Sequence, residues 1–288
     1  NAGLVRGRAG HRVHLPGPEH RQQHLQGRAA VLGGGRRRAG PAGPAQAGHA
    51  VSTPVAPRMF HVEHQYRSIW QNFKRTLKQR NSLLRHDRID DAEMSVLDQE
   101  FVELAEQING FREAYLQELI PRIQWVISEL SAMQGLEFKH YAGWDNTRPL
   151  TNILVSDKQR DRLTKITGHG PHRADLRVKL NKQSANDVLS RGQIKILVTA
   201  MQIAQGFLFH ERTGCQCLYL LDDLPAELDL QHREKVGELL HRLGAQTFIT
   251  GVIPEDVVSA WPKESKQVNM FHVEHGAVTP VNMEQLCP

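Results

Sequence analysis

An α/β fold with a helical arm is what the 288-residue sequence predicts, on three observations. Apolar residues recur at helical spacing from Trp70 to Tyr115. Beyond Leu176, short strand-like runs alternate with helical stretches, the pattern of a layered α/β domain. At Met59 the composition changes abruptly. Three segments follow: 1–58, a helical arm over 59–135, and the α/β part over 136–288.

Bulk composition narrows the class. The hydrophobic fraction is 40% and the charged fraction 23%, ordinary for a globular chain. No run reaches the roughly 18 apolar residues of a membrane span, so an integral membrane protein is not expected. No apolar stretch follows a basic start, so neither is a secretory signal. Three cysteines exclude a disulfide scaffold and fit a reducing cytoplasm.

Segment 1–58 holds nine Arg, no Lys and one acid, Glu19, leaving it at +8. The other 230 residues hold 27 basic and 30 acidic side chains, so the body is slightly acidic. Global charge therefore says nothing about nucleic-acid binding by the body. Segment 1–58 also has 11 of the 23 Gly, 6 of the 14 Pro and no aromatic residue. It lacks the apolar area to offset the entropy of ordering. Three readings fit it: a basic nucleic-acid-binding arm, a linker or targeting segment, or a GC-rich gene read out of frame. The Ala/Arg/Gly/Pro mixture favours the third.

Within the arm, Trp70, Phe73, Leu77 and Leu84 form a helical stripe, and Arg67, Lys74, Arg75, Lys78, Arg80 and Arg85 cover the rest of that helix. Asp87 to Asp91 form a polar break. A second helix, about Met94 to Met133, carries Leu97, Phe101, Leu104, Ile108, Phe111 and Tyr115 as a near-heptad seam. Gly110 and Pro121 predict that it kinks or divides in two. The pair reads as a coiled-coil-like hairpin over 60–133.

Further on, Phe138 and Tyr141 point to a strand, and Asp157 to Lys165 to a short charged helix. Leu176 to Leu180 alternates like a half-buried strand. Ile194 to Phe209 reads as a helix apolar on most faces. Cys217 to Leu221 and Thr247 to Thr250 read as strands buried on both faces, with a helix over Val236 to Leu243 between them. Met-Phe-His-Val-Glu-His occurs at 59–64 and 270–275, too short to define a repeat. Its histidines have no acid or Cys cluster beside them, and Cys215-x-Cys217 reads as packing.

The chemistry concentrates between 168 and 251. Leu189-Ser190-Arg191-Gly192-Gln193 opens the apolar helix. A hydroxyl, free N–H groups and the positive helix end make an anion cradle suited to phosphate, although such a start is often only a cap. Leu218 to Leu221 then places Asp222 and Asp223 at the C-terminal end of a strand, where open α/β sheets bind ligands. One Asp there can hold Mg²⁺, and a second can polarise water. Leu228-Asp229 follows a turn containing Pro225.

In this order the three segments resemble the signature helix, Walker B strand and D-loop of an ABC-type ATPase head. The closer resemblance is to the RecF family of bacterial DNA replication and repair proteins. It is carried by Gly170-Pro171-His172-Arg173-Ala174-Asp175-Leu176, by Leu189 to Gln193, by Leu221-Asp222-Asp223 with Glu227-Leu228-Asp229, and by the helix around Trp70, Phe73-Lys74 and Leu77 to Asn81. It spans about Phe60 to Val281, the C-terminal two-thirds of the family pattern.

The resemblance implies part of an ABC-type head, the signature and Walker B lobe, with an arm. It also implies a cytoplasmic protein of DNA repair and the SOS response that binds ATP with Mg²⁺. The implied partners are single-stranded or gapped DNA, RecO and RecR, in loading recombinase at gaps, and a RecF subunit in an ATP-dependent dimer. Carried over by position, Ser190, Gly192 and Gln193 meet a phosphate held by the dimer partner. Asp222 supports Mg²⁺, Asp223 is the catalytic carboxylate, and Asp229 couples the two sites. The resemblance leaves the role of the Gly170 to Leu176 segment open. Two departures stand out. No Gly-x-x-x-x-Gly-Lys-Ser/Thr and no Gly-Lys pair occurs in the 288 residues, and Ala226 stands where relatives often carry Ser. The alternative function is a non-catalytic module for dimerisation and DNA binding.

Overall fold

The computed structural model describes residues 64–86, 90–262, 268–275 and 277–281. Segment 1–58, and with it the first five residues of the expected arm, lies outside the described residues. Two helices form the arm, α1 (His64–Leu83) and α2 (Asp91–Leu130). They run antiparallel, since Tyr66 meets Phe111 while Phe73 meets Phe101. Asp90 starts α2 by accepting the Ala92 N–H at 2.8 Å, a side-chain cap.

The structure has one helix through Gly110 and Pro121 where two helices were a possible outcome. An interior proline costs about 3 kcal/mol. Leu119, Ile123 and Val126 are fully buried around it, and each buried aliphatic side chain returns about 1.5–3 kcal/mol. Packing therefore outweighs the local penalty.

Arg80 departs from expectation. It does not join the solvated face but is buried, with 1% of its surface exposed. Its Nε donates to Asp98 at 2.7 Å, and its Nη1 donates to Asp161 at 2.8 Å and to the Thr167 hydroxyl at 2.7 Å. Two carboxylates and a hydroxyl meet its charge, which makes the burial tolerable.

The expected strand at Phe138 is β1 (Leu136–Tyr141), followed by α3 (Leu150–Ser156) and α4 (Lys158–Thr164). Strand β2 (Asp175–Leu180) buries Leu176 and Val178 and exposes Arg177 and Lys179, as its alternation predicts. With β3 (Gln183–Ser184) it makes an antiparallel sheet in the order β1-β2-β3. After α5 (Ala185–Val188) comes α6 (Arg191–Thr213), which packs along α2. Trp125 and Phe207 meet edge to face, and the pairs Arg122–Glu211 and Arg212–Glu118 flank them.

Strand β4 (Leu218–Leu221) leads through α7 (Leu224–Glu227) and α8 (Leu230–Arg242) to β5 (Gln246–Ile249), its parallel neighbour. Two-sided burial of these strands is not found. Tyr219 is buried, but Leu218, Leu220 and Phe248 are 46%, 42% and 51% exposed. Helix α6 covers one face, and among the described residues nothing covers the other. Gly206 allows that covering: a Cβ there would lie 1.9 Å from the Tyr219 hydroxyl. Helix α9 (Pro254–Val258) and the hairpin β6 (Met270–Glu274) and β7 (Ala277–Val281) end the described chain. Among the described residues no helix is long and apolar enough to cross a membrane.

Candidate functional site

The start of α6 is built by reciprocal capping. Ser190 Oγ accepts the Gln193 N–H at 3.2 Å, and Gln193 Oε1 accepts the Ser190 N–H at 2.9 Å. The capping box fixes the entry of a 23-residue helix. Gln193 is thereby a structural partner of Ser190. The N–H groups of Arg191 and Gly192 have no acceptor inside the helix. A Cβ at Gly192 would meet nothing nearer than Ser190 Oγ at 4.0 Å, so the ground over these amides is open. Amides, a hydroxyl, the positive helix end and the cation of Arg191 are a donor set that fits a phosphate.

The second half stands where β4 ends. Asp222 and Asp223 follow Leu221 directly, and the backbone of Asp223 is left-handed, with φ 49° and ψ 43°. A non-glycine residue there carries local strain, and Asp is among the few that accept it. Sequence reasoning missed the residue that holds the pair. Thr250 leaves β5 beside them, its hydroxyl donating to Asp222 Oδ1 at 2.7 Å and accepting the Asp223 N–H at 2.8 Å. The Thr250 N–H donates to Leu221 O at 2.9 Å, extending the parallel ladder by one bond. Asp222 keeps its second oxygen open, and both aspartates are exposed. One or two carboxylate oxygens beside a phosphate are the ligand set Mg²⁺ uses. Among the described residues no cluster of three or more potential ligands makes a metal site without such a phosphate.

Asp229 is occupied differently. It caps α8, accepting the His232 N–H at 3.0 Å and meeting His232 Nδ1. The His232 N–H, and after it the ring, hold the Asp229 carboxyl below the usual carboxylate range. A 2.5 Å pair from Lys195 to Glu227 ties the second turn of α6 to α7, just ahead of Asp229. The expected residues thus lie at element ends on the surface. A cavity of about 350 Å³ lined by Glu106, Trp144 and Arg148 shares none of them. Of the Cys-x-Cys pair, Cys217 is half-buried and Cys215 exposed, so the packing expectation fits Cys217 alone.

The Gly170 to Leu176 segment belongs to a different device. Gly170 has φ 134°, and a Cβ on it would lie 2.6 Å from Phe101 Cζ. Arg112 Nη1 donates to Pro171 O at 2.8 Å. His172 packs against Phe73 and Phe101, and its Nε2 meets Thr167 O at 3.1 Å. With Arg80, Asp161 and Thr167 these contacts bolt the arm to α4 and to the segment that leads into β2. Burial pushes the His172 ring below the usual histidine range.

Comparison with known proteins gives the class. The model of the RecF/RecN/SMC N-terminal domain matches residues 83–279, and the chain belongs to that family. Within it, DNA replication and repair protein RecF of Cellvibrio japonicus is 46% identical over 222 residues, 77% of this chain and 61% of that protein. RecF of Stutzerimonas stutzeri is 44% identical, over 78% of this chain and 60% of the relative. The chain spans about three fifths of the length of these relatives. Among solved structures, the recombination mediator protein RecF with ATP superposes at a TM-score of 0.65 with 22% identity, covering 81% of this chain and 64% of that one. Its ATPrS form gives 0.64 and 24%. At that identity the likeness shows the fold, part of an ABC-type ATPase head with a helical arm.

Proposed function

We propose that this chain is a RecF-type DNA replication and repair protein that supplies the signature half of a composite ATP site. A RecF-type subunit supplies the phosphate-binding loop. The single observation that supports this most is the open α6 start, where Ser190 and the amides of Arg191 and Gly192 face solvent in a rigid cap. They hold the terminal phosphate that the other subunit presents. At the other composite site, Asp222, oriented by Thr250, would hold Mg²⁺, whose charge would offset that of the phosphates. Asp223 would accept a proton from attacking water at that same site, and Asp229 with α8 would sit at the contact between subunits. In this reading the chain works in the cytoplasm on single-stranded or gapped DNA during the SOS response, with RecO and RecR in recombinase loading. No Gly-Lys pair occurs in these 288 residues, which favours a second reading of the same surface, a dimerisation and DNA-binding module without turnover.

The test is dimer mass with a full-length RecF, with and without ATP. An ATP-dependent heterodimer is expected. Ser190→Arg should abolish it, since a guanidinium would fill the phosphate position. Asp222→Asn should matter much less, because Asp222 serves the other site of the dimer. Equal loss from both, or association indifferent to ATP, refutes the assignment. ATP turnover by the heterodimer that survives Asp223→Asn, since Asp223 belongs with Asp222 to the other site, decides for the first reading, and a heterodimer without turnover decides for the second.

A further inference from the structure

Helix α1 presents a face unlike the rest of the described chain. Among described helices of eight or more residues it alone contains no acid. Between 64 and 86 stand six Arg or Lys residues and no Asp or Glu. Arg80 is consumed in the buried network. Arg67, Lys74, Arg75, Lys78 and Arg85 are all exposed. None of them takes part in an ion pair among the described residues, and the one ion pair between α1 and α2 is Arg80 with Asp98. This concentration stands on a body, residues 59–288, that carries 27 basic against 30 acidic side chains. A solvated face of ordinary composition would mix both signs.

The geometry is ordered too. At 100° per residue, Arg67, Lys74 and Lys78 fall within about 40° on the helix, and the row from 67 to 78 is about 16 Å long. That matches about five phosphates of one duplex strand at roughly 3.4 Å each. The neighbours on this face are neutral hydrogen-bonding groups such as Gln71 and Ser82, both exposed. No aromatic ring is free to stack on a base: Trp70 stacks on Tyr66 and Phe73 instead. The face offers no apolar anchor for a protein partner.

We propose that this face of α1 seats a DNA phosphate backbone, contacted without regard to base sequence. The proposal rests on the DNA-repair reading above and names the surface that carries it. Long flexible cations and neutral amides position a backbone and read no bases.

The experiment compares the full chain with the triple variant Arg67→Gln, Lys74→Gln, Lys78→Gln, using fluorescence anisotropy with a labelled duplex across salt concentrations. Glutamine keeps the helix propensity of these exposed positions. The arginines of 1–58 are common to both proteins, so a difference in slope belongs to α1. The expected result is a loss of tenfold or more and a salt slope reduced by about 2–3, at roughly 0.9 per lost phosphate contact. A control triple, Lys139→Gln, Arg148→Gln, Arg160→Gln, should leave both values unchanged. An unaltered slope in the α1 variant, or an equal loss in the control, overturns the assignment while the DNA reading stands. Polyglutamate bound with the same salt slope, and lost in the α1 variant, gives the face to an acidic protein and overturns it as well. No DNA binding by the unaltered chain removes the DNA reading itself, and the surface with it.

Discussion

Asp161, in the middle of α4, and Asp222, directly after β4, are both aspartates of short elements, and their surroundings differ completely. The side chain of Asp161 is 2% exposed and is answered by the Arg80 guanidinium and the Gly168 N–H. Asp222 is exposed and answered by one threonine hydroxyl. The first carboxylate has spent its hydrogen-bonding capacity inside the protein. The second retains an oxygen for something the protein does not contain. The same contrast separates the joint between the arm and α4 from the strand-end site. Where carboxylates are fully matched and dry they fix architecture, and where they are half matched and wet they are available to a ligand.

The largest effect should come from breaking the joint. Arg80→Met leaves Asp161 buried without its cation, a change that typically costs 3–5 kcal/mol. Urea unfolding should show a loss of about that size. A loss below about 1 kcal/mol would mean that Asp161 finds water or a new partner. Next in size is Gly170→Ala. A side chain at φ 134° is strained, and its Cβ would press on the Phe101 ring. Backbone strain and overpacking each cost about 1–3 kcal/mol, so about 3 kcal/mol is expected from the same measurement. Phe101→Leu should recover part of it, since it removes the obstructing ring edge.

Acid should loosen the joint more than the site. His140 of β1 also faces the arm, its Nε2 meeting Asn109 Oδ1 of α2 at 2.9 Å. Burial, the largest influence on each, lowers His140 and His172 from the ordinary 6.5, so the folded state prefers both rings neutral. Their stabilisation is complete above about pH 6.5 and is lost as pH falls toward the lowered values. Unfolding free energy should therefore decline between pH 7 and 5. The double variant His140→Gln, His172→Gln should flatten that decline. A decline unchanged in the double variant would move the effect to other groups.

Much of the joint was present in the sequence, and part of it was overlooked there. Arg80 stands seven residues after Phe73, on the buried stripe, so its spacing carried the signal while its charge argued against it. Its partner Asp161 lies 81 residues away, beyond what periodicity can reach. The site was legible as motifs: a Ser and Gly at a helix start, and two Asp at a strand end. Thr250 was not, because its place beside Asp222 depends on parallel pairing of β4 with β5 across α8. The apolar runs of β4 and β5 implied cover on both faces, but a run of apolar residues records what a strand tolerates, not which layer reaches it.

The smallest expected effect on stability is also the sharpest probe of the comparison. Thr250→Val keeps the shape of the side chain and removes both hydrogen bonds of its hydroxyl. At an exposed position water replaces them, so the net cost should be about 0.5–1 kcal/mol. Arg80→Met should exceed it severalfold by urea unfolding. The order should reverse in a metal-dependent readout. Without Thr250 the Asp222 carboxylate rotates freely, and Mn²⁺-induced paramagnetic broadening of the Asp222 signals, measured on the chain alone, should weaken. Thr250→Ser, which restores the hydroxyl, should bring it back. A valine variant that unfolds as easily as Arg80→Met would place Thr250 in the architecture of the head, and the division between a spent carboxylate and an available one would fail at the residue that defines it.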